Sequence, residues 1–111
     1  MRRIILPVLI AAIAACRATS PPEPTTISWQ LDAPYCGTMR IERRIDGVLI
    51  GRDMLNHGVA TTPIAVAPGT HTVSARMLYF VGDDPVYVWP DTTYVLAEGQ
   101  RITRVLPLYC S

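Results

Sequence analysis

The side chains of this chain with which chemistry could be done are few. Three cysteines, two histidines and scattered acids make up most of them. His57 in LNHGV and His71 in PGTHTV stand apart, without the Cys or acidic neighbours at ligand spacing that a zinc site requires. Asp83 and Asp84 in GDDP lack the further oxygen donors at alternate positions that a calcium loop supplies, and they read as a turn. Ser74 follows His71 closely, but no GxSxG elbow surrounds it. Asp53, Asp91 and Glu98 could be paired on paper as glycosidase carboxylates, yet nothing in their spacing selects a pair. The expectation is therefore no catalytic residue, no metal ligand and no cofactor. Cys16 is more informative. It closes an apolar run and opens LIAAIAACRATSPPEPTT onto a Pro, Ser and Thr stretch. By residue type it is a disulfide partner, a small buried hydrophobe or an attachment point.

Its surroundings favour attachment. Arg2 and Arg3 precede a run of twelve mostly apolar residues, Ile4 to Ala15. A spanning helix takes ~20 apolar residues, so this run is too short to cross and stay, and it has the size and flanks of a signal-peptide core. The tetrapeptide Ile13-Ala14-Ala15-Cys16 resembles the lipobox of bacterial lipoproteins. That resemblance implies cleavage before Cys16, a diacylglycerol thioether on its sulfur and acylation of the new amino terminus. Arg17, which is not Asp, implies outer-membrane sorting in a Gram-negative host. Each buried methylene of such an anchor contributes ~0.8 kcal/mol, and two or more chains hold stably. The following RATSPPEPTT reads as a polyproline-like tether rising ~3.1 Å per residue. The predicted organisation is a leader at 1–15, a lipidated Cys and tether at 16–26, and a folded domain at 27–111.

Cys36 and Cys110 remain as an even pair in a compartment outside the cytoplasm, where a disulfide is expected. A loop of that size contributes roughly 4 kcal/mol by chain entropy. The charge balance is near zero, +1 for the whole chain, and from Cys16 onward eight Arg face nine acids. With no basic stripe, nucleic acid is not an expected partner.

The elements that position these residues read as strands throughout. In TMRIERRI, Arg40, Glu42 and Arg44 alternate with Met39, Ile41 and Ile45, and Arg43 alone breaks the pattern. Asp46-Gly47 is a favoured two-residue hairpin turn. Pro68-Gly69 marks another turn, GDDP a third and EGQ a fourth. No window has helical periodicity. Seven or eight short antiparallel strands in one small domain predict an all-β sandwich.

The stretch IDGVLIGRDMLNHGVATTPIAVAPGTHTVSAR resembles the PEGA-type and transthyretin-like sandwich modules of bacterial surface proteins. Asp46, Gly47 and Gly51 match the first element of that pattern, Thr62 and Pro63 the second, and Pro68, Gly69, His71 and Val73 the third. The resemblance implies a surface-exposed sandwich without catalytic residues. Tyr79, Phe80, Tyr87, Trp89 and Tyr94 crowd one further region, and Tyr87 and Trp89 share a strand face. They are candidate partner-binding residues if that face is outward, and core residues if it is inward. The expected function is a membrane-anchored envelope lipoprotein whose sandwich binds or scaffolds a protein partner. The alternatives are a periplasmic inhibitor or immunity lipoprotein that plugs an enzyme with the segment Arg52 to Thr61, or a carbohydrate-binding module.

Overall fold

The computed structural model describes residues 23–110. Along them run eight strands: β1 (Thr25–Asp32), β2 (Met39–Ile45), β3 (Val48–Leu55), β4 (Ile64–Val66), β5 (Gly69–Leu78), β6 (Pro85–Val88), β7 (Thr92–Leu96) and β8 (Arg101–Pro107). None of these residues is helical. The strands form two sheets, one ordered β4-β1-β8 and the other β3-β2-β5-β6, with β7 pairing the opposite end of β5. This is the small all-β sandwich that the strand pattern predicts.

One pairing departs from the antiparallel expectation. β1 and β8 run parallel over seven residue pairs, from Thr26↔Arg101 to Asp32↔Pro107. The first and last strands meet because the whole larger sheet lies between them as their crossover, so their direction is decided by topology and not by either strand's own residues. The domain also begins slightly before the expected boundary. Thr25 and Thr26 belong to β1. The Thr25 hydroxyl donates to Ala97 O (3.3 Å) and accepts from Gly99 N–H (2.9 Å), which joins the strand to the β7–β8 turn. The segment expected to be a leader, Cys16 and most of the expected tether lie outside the described residues.

The core follows from alternation. β1 sends Ile27, Trp29 and Leu31 inward, and Ile41, Ile45, Val73, Ala75 and Leu106 meet them, all buried. Each large apolar side chain so enclosed contributes about 1.5–3 kcal/mol. Trp89, just beyond β6, crosses between the sheets: its backbone N–H donates to Ala75 O (3.2 Å), and its indole Nε1–H donates to Pro107 O (2.7 Å).

The Cys36–Cys110 disulfide joins the segment after β1 to the tail after β8, with Cα atoms 5.2 Å apart and a sequence separation of 74. The β2–β3 hairpin turns at Asp46 (φ 53°) and Gly47 (φ 80°), both in the left-handed region that a type I′ turn demands.

Candidate functional site

The two sheets leave one side of the sandwich open. Edge strands β3 and β4, with the segment between them, line a cavity of about 390 Å³. Its shape begins with a bulge. Arg43 faces Gly51 and Arg44 faces Leu49, so Ile50 is one residue too many for β2 and turns toward the cavity. The same irregularity sets Gly51 opposite Arg43. A Cβ at Gly51 would stand 2.6 Å from Nη2 of Arg43 and 2.6 Å from Oδ2 of Asp53. Glycine there leaves room for the ion pair that those two side chains form.

Arg43 is the residue that broke the alternation of its strand, and it points inward. Its side chain is 7% exposed, while that of Asp53 is 65% exposed. The guanidinium carbon lies 5.2 Å from the centre of the buried Trp29 ring, a cation–π contact. Nη2 donates to Asp53. Nε is buried and has no hydrogen-bond partner among the described residues, and the indole Nε1 of Trp29 is in the same condition. Leaving such a donor unmade costs about 1–3 kcal/mol. The rest of the lining mixes Leu55, Val59 and Ile64 with Asn56, Thr61 and Thr62. This arrangement can hold a hydrogen-bond acceptor against an apolar wall.

The lip of the cavity is pinned. Gly58 N–H donates to Leu31 O and Thr61 N–H to Trp29 O, each at 2.8 Å, and Thr61 Oγ1 accepts from Trp29 N–H. His57 Nδ1 accepts from Ala33 N–H at 3.0 Å, which commits the ring's first nitrogen to the backbone. The segment considered as a free plugging loop, Arg52 to Thr61, is thus strand β3 up to Leu55 and a strapped lip beyond it.

A second polar constellation occupies the outer face of the larger sheet. Alternation assigned Glu42 to a water-facing side, but its side chain is wholly buried. Three arginines cover it. Arg76 donates from Nε and Nη2 to both carboxylate oxygens, Arg52 donates from Nε, and Arg44 donates from Nε. These hydrogen bonds, Arg76's foremost, hold the Glu42 carboxyl down to about 2 against the opposing effect of burial. Asp83 sits at the rim, 3.5 Å from Arg40 and 3.7 Å from Arg52, so this acid serves the arginine face.

The remaining candidates fall in separate places. Cys36 and Cys110 are bonded to each other. Trp89 is 2% exposed and Tyr87 43%, their rings edge to face with centroids 5.1 Å apart. Trp89 therefore belongs to the core, while Tyr87 is exposed like Val86 and Val88, and of the pair only Tyr87 offers surface to a partner. Tyr79 and Phe80 are exposed at the β5–β6 tip, while Tyr94 packs on the core. His71 is engaged by Asp46 and not by Ser74: Nδ1 lies 2.6 Å from Asp46 Oδ2, and Nε2 lies 2.6 Å from Ala67 O. Asp53 is on β3, Asp91 lies between β6 and β7, and Glu98 lies between β7 and β8. Among the described residues, no three His, Cys, Asp or Glu side chains are grouped to hold a metal ion. Sequence reasoning missed the Arg43 pocket as a site, although Arg43's break in alternation was its signal.

Neither a protein-family model nor a curated protein matches the chain.

Proposed function

We propose that this chain is an envelope lipoprotein, anchored through Cys16 to the outer membrane and facing the periplasm, whose PEGA-like sandwich binds or scaffolds a protein partner and catalyses nothing. The observation that supports it is the Cys36–Cys110 disulfide, a bond that persists in oxidising compartments, in a domain that begins soon after the lipobox-like cysteine. The strapped cavity at the open edge supplies the binding surface. One ion pair, hydroxyls, an amide and apolar side chains line it, a set suited to holding a group in place.

The test combines two measurements in the producing cells. Radiolabelled palmitate is expected to enter the wild-type chain and not Cys16→Ser. A photo-crosslinking residue in place of Val59, on the lip, is expected to capture one non-enzymatic envelope protein, identified by mass spectrometry. An unlabelled wild type overturns the anchor. Capture of a lytic enzyme overturns the scaffold reading in favour of an inhibitor, and capture of no protein overturns it in favour of a carbohydrate or small-molecule binder.

A further inference from the structure

Nε and Nη2 of an arginine form one edge of the guanidinium, spaced to meet both oxygens of a single carboxylate. At Arg43 only half of that edge is used. Nη2 holds Asp53, while Nε beside it is closed to water and has no hydrogen-bond partner among the described residues, and Arg43 is one of the residues that line the cavity. Asp53 comes from the bulged edge strand and is mostly exposed, so it can turn into water once another anion takes its place, whereas Arg43 is buried over Trp29. A buried cation with half its fork vacant beside an exposed internal anion is the arrangement of a site whose own carboxylate keeps the place of another.

We propose that the open-edge cavity binds a carboxylate carried next to an apolar group, and that the carboxylate takes both prongs of the Arg43 fork in place of Asp53. The apolar group then lies against Ile50, Val59 and Ile64, with Thr61 and Thr62 also in the lining. About 390 Å³ accommodates one amino-acid-sized group, at the small end of ligand pockets. The chemistry is shared by the C-terminal residue of a peptide and by a free N-acylated amino acid. This deepens the binding-module reading and rests on it only for the use of this edge. It does not depend on the anchor, so a negative palmitate label leaves it standing.

The experiment is an NMR titration of the ¹⁵N-labelled full chain in mild detergent, with three probes: N-acetyl-leucine, N-acetyl-leucinamide, and an acetylated tetrapeptide ending in leucine with a free carboxylate. N-acetyl-leucine is expected to shift the amide signals of Gly51, Asp53 and Thr61 saturably, and the neutral amide is not. Asp53→Asn removes the internal competitor, so it is expected to tighten N-acetyl-leucine binding by about tenfold, the worth of one charge-assisted hydrogen bond. Arg43→Gln is expected to abolish binding. Tighter binding of the tetrapeptide identifies a chain terminus as the source, and weaker binding identifies a free acid. Equal response to acid and amide overturns the proposal. So does weaker binding by Asp53→Asn, or shifts confined to residues away from the cavity. Because Asp53 is exposed, its variant keeps the test decisive even where Arg43→Gln fails to fold.

Discussion

Glu42 is wholly buried under the three half-exposed guanidiniums of Arg44, Arg52 and Arg76. Removing one partner of a buried charge cluster is more damaging than the cluster is stabilising, because the opposite charges remain without their solvation or their partner. Glu42→Ala is expected to lower the unfolding free energy by about 2–4 kcal/mol in urea titrations, whereas Arg44→Ala costs less than about 1 kcal/mol because two guanidiniums stay in place. A measured loss for Glu42→Ala no larger than for Arg44→Ala contradicts this account. The period-two pattern of TMRIERRI put Glu42 on the correct face of its strand. It could not reveal burial there, since Arg52 and Arg76 arrive from β3 and β5 and the register of those strands is a tertiary matter.

At the scale of elements, the β2–β3 hairpin is tied to the start of β5 by Asp46. Its Oδ1 accepts from Thr72 N–H (2.8 Å), and its Oδ2 meets His71. Acceptors stand at both ring nitrogens of His71, so both N–H groups of the imidazolium form find partners. The Asp46 hydrogen bond, then the Ala67 carbonyl, raise its pKa above 6.5. His71 in turn, with the Thr72 amide, lowers Asp46 below 3.8. A raised histidine contributes stability that is fully present below the unfolded value and lost as pH rises through the folded one. A lowered carboxylate contributes stability present above its unfolded value and lost as pH falls through the folded one. The hairpin attachment is thus strongest between the two. Urea midpoints are expected to fall as pH is raised above 6.5 through the His71 titration seen by NMR, and His71→Gln is expected to flatten that dependence. An NMR titration of His71 at or below 6.5 contradicts the pairing. The residues of this tie were visible as the DG and PGxH turns, but the contact between them was not.

For the whole molecule the decisive bond is the disulfide. It fastens the segment after β1 to the tail after β8, strands already paired in parallel, and Leu108 N–H donates to Asp32 O (3.0 Å) beside it. Since it closes most of the folded chain into one loop, replacing both cysteines by serine is expected to lower the unfolding free energy by about 2–4 kcal/mol. That is a large share of the ~5–15 kcal/mol of a small domain. The urea m-value is also expected to rise as the unfolded chain expands. A double variant as stable as the wild type contradicts this role.

What the sequence determined by itself was local in origin. Alternation marked the strands, Asp46-Gly47 marked the hairpin, and the even pair Cys36 and Cys110 marked the bridge, because side-chain period, left-handed φ and thiol pairing are written in neighbouring residues or residue counts. Trp89 shows the limit of that reading: its face of the strand was legible, but only β8, with Pro107 O in reach of the indole, made that face the interior. Arg43 shows the limit again. Its departure from the pattern was plain in RIERRI, but the bulge at Ile50 and the space at Gly51 come from β3, and the Trp29 ring beneath it from β1. A pocket is a relation among distant segments, and the packing of one sheet on the other is what brings them together.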